Sequence, residues 1–127
     1  MIVGEWSPAG EASVRLAVHG PDRVVEVQAV IDTGFDGWLS LPPQEIRALG
    51  LVEAGSEEVE LADGRVRRIE TYNATVQWDG TPQAITVDEA PTEPLLGTEL
   101  LWGYELRIRY VAGGGVEIEA VPTESSD

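Results

Sequence analysis

The sequence places one acid in an unusual position. Val30 and Ile31, two apolar strand formers, run directly into Asp32-Thr33-Gly34. A second turn, Asp36-Gly37, follows before apolar residues resume at Trp38, Leu39 and Leu41. A carboxylate at the end of so apolar an approach is usually paired or put to use. Three uses are open to Asp32. It can accept backbone N–H groups and cap its own turn, join a metal site, or give and take a proton. A metal site needs converging ligands, and Asp36 is the only close candidate while the other acids are scattered over loops and strand exteriors. No metal is therefore expected. The residue by itself leaves the turn cap and the acid–base group both open.

Other residues offer less. His19 is the single histidine, on the solvent parity of its segment with Arg15 and Ala17. A Ser-His-Asp triad would have to use it, and nothing orients it. Arg65, Arg67 and Arg68 read as the solvated edge of a hairpin. Gly113 to Gly115 lack the strand–glycine–helix setting of a phosphate loop. Trp6, Trp38, Trp78 and Trp102 read as core or subunit-interface groups.

The totals narrow the class. A chain of 127 residues suits one domain, expected over 1–122 with a disordered tail at 123–127. There is no cysteine, which excludes disulfides, thiolate chemistry and Cys-based zinc sites. No basic, apolar leader and no run of bilayer-spanning length occurs, so a soluble, cytoplasmic protein without membrane contact is expected. All eight basic residues are arginine, against 23 acids, for a net charge of −15. Binding a nucleic-acid backbone needs the opposite balance, so no nucleic-acid partner is expected.

The elements that must position Asp32 are mainly strands. Residues 12–18 alternate with Ala12, Val14, Leu16 and Val18 on one side, and Val25, Val27, Ala29 and Ile31 answer them after a turn at Gly20-Pro21-Asp22. Pro42-Pro43 opens a short helix in which Ile46 and Leu49 share a face and Gly50 closes it. Residues 53–58 read as an acidic loop, followed by a hairpin turning at Asp63-Gly64. The parity change between Val66 and Tyr72 predicts a bulge near Arg67-Arg68. Tyr72, Ala74, Val76 and Trp78 then line one side, Asp79-Gly80 turns the chain, and Ile85 with Val87 marks the next strand. Residues 88–94 read as a second acidic loop before Leu95-Leu96-Gly97. Thr98 is expected to cap a short helix through Leu101-Trp102, with Gly103 past its end, and strands follow from Tyr104 and over 116–121. No element is assigned to residues 1–11.

Taken in order, Asp32-Thr33-Gly34, the Asp63-Gly64 hairpin and Leu95-Leu96-Gly97 before a short helix resemble the retropepsin-like aspartic proteases of clan AA, half-size relatives of pepsin. The resemblance runs nearly end to end. Met1-Ile2-Val3-Gly4, Asp32 through Gly37, Leu61-Ala62-Asp63-Gly64, Leu95-Leu96-Gly97 and Gly103-Tyr104-Glu105-Leu106 look like a small bacterial and archaeal branch. The resemblance implies an all-β fold: a closed, retropepsin-like β-barrel with a flap hairpin and two short helices. It makes Asp32 the catalytic acid or base, with Thr33 hydrogen-bonding across a dimer and Gly34 admitting the substrate backbone. It places Phe35, Asp36 and Gly37 along the substrate cleft and Ala62, Asp63 and Gly64 at the flap tip. Leu95, Leu96 and Gly97 would support the active-site loop from behind. The chain departs from the retroviral pattern at Phe35, where a small residue is usual, in a flap tip with one glycine, and in Thr98-Glu99 after Gly97.

That chemistry needs two carboxylates sharing a proton, one activating water and the other acting as an acid toward the scissile carbonyl. The chain holds one Asp-Thr-Gly. The resemblance therefore implies a homodimer with its two-fold axis through the site, acting on a peptide or protein substrate with no cofactor. The rival expectation is a dimer of the same fold that binds peptides with little or no catalysis, motivated by Phe35 and the flap sequence.

Overall fold

The computed structural model describes residues 1–122, so the tail expected at 123–127 lies outside the described residues. Ten strands and two short helices follow in the order β1 (Ile2–Trp6), β2 (Ala12–His19), β3 (Val24–Ile31), β4 (Leu39–Leu41), α1 (Pro43–Leu49), β5 (Val52–Glu60), β6 (Val66–Trp78), β7 (Thr81–Glu89), β8 (Leu95–Leu96), α2 (Thr98–Leu101), β9 (Tyr104–Ile108) and β10 (Val116–Ala120). The protein is mostly β.

Where alternation is strong, the strands form as the pattern dictates. Val14, Leu16 and Val18 of β2 and Val27 and Ala29 of β3 point into one core with Ala74, Val76, Ile85 and Val87. Pro42 and Pro43 start α1, Ile46 and Leu49 bury its inner face, and Gly50 ends it at φ 63, a left-handed conformation that costs glycine little. Asp79 and Gly80, at φ 51 and 80, make the two-residue turn between β6 and β7.

The strands are hydrogen-bonded in the order β5-β6-β7-β4-β8-β3-β2-β1-β10-β9, and β2 also pairs with β6. The centre of this order holds the Asp32 turn. The two residues of β8 sit between β3, parallel, and β4, antiparallel. Both β3 and β4 flank the Asp32 turn, so the chain on either side of that turn is gripped by one short segment from far along the sequence.

Several expectations are corrected. Residues 53–58 are part of β5, paired with β6 from Val52↔Asn73 to Glu60↔Val66. Every residue of β5 is exposed, so no buried face marks it by alternation, and its backbone pairing alone makes the strand. Arg67 and Arg68 pair regularly with Val59 and Glu58; the register shift lies between Glu53 and Gly55, leaving Ala54 as the extra residue. Apolar parity changes in β6 because the hairpin leaves the core there, with Val66 exposed and Ala74 buried. Asp88 and Glu89 belong to β7 rather than to a loop. Thr98 is the first residue of α2, with Gly97 in the cap position and no side-chain cap bond. Residues 2–6 form β1, which pairs with β10 through Ile2↔Ile118 and with β2 through Glu5↔Ser13. The tryptophans divide: Trp78 is buried, Trp38 packs against the core, Trp6 donates its indole N–H to the Gly114 carbonyl at 2.8 Å, and Trp102 is 85% exposed.

Leu96, at 0% exposure, is the buried residue of β8. Leu96→Ala is expected to lower unfolding free energy by about 2–5 kcal/mol. Val66→Ala, on the exposed hairpin, is expected to change it by no more than about 0.5 kcal/mol. Urea unfolding of the two variants checks the contrast.

Candidate active site

Strand β3 ends at Ile31, in parallel register with Leu96. The ladder continues one bond further, because Asp32 N–H donates to the Leu96 carbonyl at 3.0 Å. The chain then turns on the aspartate itself. Phe35 N–H donates to the Asp32 carbonyl at 3.1 Å, and Gly34 N–H donates to Asp32 Oδ1 at 2.9 Å. Asp32 is partly buried, whereas Thr33 and Gly34 are exposed. The carboxylate therefore has one oxygen engaged by its own loop, and the loop apex faces outward.

The return side of the loop is held by α2. The first N–H groups of a helix have no partner inside it and need acceptors elsewhere. Here they find the loop: Thr98 N–H donates to the Phe35 carbonyl at 2.9 Å, and Glu99 N–H donates to the Gly37 carbonyl at 3.1 Å. Gly97 N–H adds a bond to the Trp38 carbonyl at 3.0 Å. Three consecutive donors thus secure residues 35–38, which is why α2 needs no side-chain cap.

Around Gly37 and Gly97 there is no room for further side chains. A Cβ at Gly97 would run into the Gly37 carbonyl oxygen and come within 2.7 Å of Phe35 Cδ2. A Cβ at Gly37 would stand 2.6 Å from Phe35 Cε1 and Cζ. The Phe35 ring is therefore turned onto Gly37 and Gly97.

Beside the loop lies a cavity of about 360 Å³. Asp36, Gly37 and Trp38 line it from the loop, Glu57 from β5, Thr86 and Asp88 from β7, and Glu99 from α2. Four of these carry carboxylates and none carries a positive charge. Burial raises the Asp88 carboxyl above its ordinary range, and the charges of Glu57 and Asp36 raise it further. Among the described residues no three His, Asp or Glu side chains converge as a metal site would require.

The structure brings Asp32 to Gly37 together with Leu95, Leu96 and Gly97 in one hydrogen-bonded unit. It does not bring the hairpin tip to the cavity. Ala62, Asp63 and Gly64 are exposed at the β5–β6 turn, where Asp63 Oδ1 accepts the Arg65 N–H at 3.0 Å and Gly64 N–H donates to the Leu61 carbonyl at 2.9 Å. The hairpin reaches the cavity through Glu57 instead. Glu57, Thr86, Asp88 and Glu99 are the lining groups that sequence reasoning missed. For Thr86 and Asp88 a signal existed, since they occupy the alternate parity to Ile85 and Val87 on β7.

No family model matches the chain, and no curated protein matches it. Among solved structures, the EIAV protease complexed with the inhibitor HBY-793 is similar, with a TM-score of 0.57 and 13% sequence identity over 77% of this chain and 91% of that one. At that identity the likeness is one of fold, and the chain has a retropepsin-like fold. No helix in the described residues is long and apolar enough to cross a membrane.

A carboxyl whose pKa is raised on folding adds stability below its unfolded pKa, and that contribution is lost as pH rises through the folded value. Ionised Asp88 therefore weakens the fold at neutral pH. Asp88→Asn is expected to melt at a higher temperature than the parent near pH 7, with the gap closing by about pH 4. Thermal melts across that range check the sign.

Proposed function

We propose that the protein is a homodimeric aspartic endopeptidase in which Asp32 of two copies forms the catalytic pair. The observation that carries this reading is Asp32 itself: a carboxylate on a doubly held turn, with its neighbours Thr33 and Gly34 exposed, in a retropepsin-like fold. One chain supplies one such carboxylate, so the site is complete only with a second copy. Two carboxyls about 3 Å apart share one proton, because both cannot ionise easily.

The chemistry then follows by proton balance. The ionised carboxylate takes a proton from water, and the hydroxyl attacks the peptide carbonyl carbon. The protonated partner gives its proton to the carbonyl oxygen, producing a neutral gem-diol. One carboxyl then returns its proton to the amide nitrogen while the other takes a proton from a gem-diol hydroxyl, so the C–N bond breaks, acid and amine leave, and the pair again holds one proton. Thr33, at the exposed apex, holds the two loops together across the axis. Gly34 admits the substrate backbone, and Asp36 meets its amides. The β5–β6 hairpin serves as the flap, with Ala62, Asp63 and Gly64 at its tip. The β2–β6 pairing supports reading the sheet as a closed barrel. A non-catalytic peptide-binding dimer draws no support from Phe35, whose ring lies on Gly37 and Gly97 and lines no part of the cavity.

The cavity beside the loop sets the charge of the preferred substrate. Like charges repel in a partly enclosed space, and four carboxylates there favour an arginine or lysine side chain over an acidic one.

Purified protein is expected to cleave an unfolded polypeptide at mildly acidic pH in a pepstatin-sensitive manner. Asp32→Asn is expected to reduce the rate by at least about 100-fold; full retained activity in that variant would contradict the assignment. Sequencing of the fragments from a mixed peptide library is expected to show basic residues enriched, and acidic ones depleted, within a few positions of the cut. An enrichment of acidic residues there would overturn the charge reading.

A further inference from the structure

We infer that Phe35 is the positioning residue of the Asp32 loop, its ring acting as the spacer that sets where the aspartate stands. The inference rests on the reading of Asp32 as one half of a catalytic pair.

Phe35 is the point at which three constraints on the loop meet. Its N–H donates to the Asp32 carbonyl at 3.1 Å, closing the turn that carries the carboxylate. Its carbonyl accepts the Thr98 N–H at 2.9 Å, tying that turn to the start of α2. Its ring occupies the space in front of both Gly37 and Gly97.

Those two glycines are informative because their backbones do not require glycine. Gly97 has φ −97 and ψ 177, extended geometry open to any residue, and Gly37 is not among the glycines with positive φ. Space is what excludes a side chain. At Gly97 part of the obstruction is backbone, the Gly37 carbonyl. At Gly37 the close obstruction is the Phe35 ring alone, with Asp88 Oδ2 next at 3.4 Å, an ordinary contact. The ring and the absent Gly37 side chain are thus a matched pair: a large residue at 35 requires a hydrogen atom at 37. Removing the ring leaves the loop without its contact on Gly97, between β8 and α2, while the backbone bond from residue 35 to the Asp32 carbonyl and the Gly34 bond to Oδ1 remain to hold it locally. The carboxylate then moves relative to its counterpart, and misplacement of this order is costly where geometry governs rate.

The experiment is a double-mutant cycle on the full-length chain with Phe35→Ala, Gly37→Ala and the pair, together with Phe35→Tyr. Each is read by urea unfolding, by kcat and KM on a cleaved peptide, and by the Gly34 amide resonance, which reports the bond to Asp32 Oδ1. Phe35→Ala is expected to lower kcat about 10- to 100-fold, with KM changed by less than about threefold, and to shift the Gly34 amide; Phe35→Tyr is expected to restore both. Gly37→Ala is expected to destabilise the parent, and the same substitution in the Phe35→Ala background to cost much less.

Additive losses in the cycle, or a Phe35→Ala protein with parental kcat and an unmoved Gly34 amide, would overturn the inference. Parent protein without Asp32-dependent cleavage would instead remove the reading on which it rests. The stability cycle and the amide shift would still decide the placing of the loop by Phe35.

Discussion

The interaction on which the structure depends is the insertion of Leu95-Leu96-Gly97 between the two strands that bracket the Asp32 turn. Leu96 is wholly buried, and its carbonyl takes the Asp32 N–H on one side of the turn. On the other side, Gly97, Thr98 and Glu99 give their N–H groups to the carbonyls of Trp38, Phe35 and Gly37. A polar loop beside a hydrophobic core is ordinarily free to move, because it has few partners of its own. Here the main chain on both sides of the turn is bonded to a segment anchored in the core, and the turn itself closes on Asp32. Burial of the leucine thus becomes precision at the carboxylate.

The same constraint explains the glycines and the charge. The Gly37 carbonyl leaves no volume for a side chain at Gly97, and the Phe35 ring leaves none at Gly37, so both glycines are required by space. With the aromatic side chain directed inward, the remaining loop groups, Asp36 and Trp38, face the cavity together with Glu57, Asp88 and Glu99. Burial raises the Asp88 carboxyl, and the neighbouring carboxylates Glu57 and Asp36 raise it further by repulsion. That cost to the fold at neutral pH is retained at the place where a basic substrate group would relieve it.

Local chemistry was legible in the sequence. The Asp32 turn, the proline start and glycine end of α1, the Asp79-Gly80 turn and the alternation of β2 and β3 each follow from a few adjacent residues. β5 was not legible because a strand exposed on both faces carries no alternation, and its partner is the only thing that identifies it. β1 was missed because none of its five residues is fully buried and its longer pairing is with β10, at the far end of the fold's sequence. The acidic cavity and the inward turn of Phe35 were invisible for a related reason: Glu57, Asp88 and Glu99 meet the loop only after folding, and the ring's direction depends on Gly97, which is far away in sequence.

The central claim is that Asp32 is half of a site that two copies complete. A crystal structure of the dimer, or of the chain at concentrations where it self-associates, tests it most directly through the distance between the two Asp32 carboxylates. The account predicts a two-fold axis through the loops, with the carboxylates about 3 Å apart and able to share a proton. A chain that stays monomeric at all concentrations, or a dimer whose Asp32 side chains lie on separate surfaces, would contradict it.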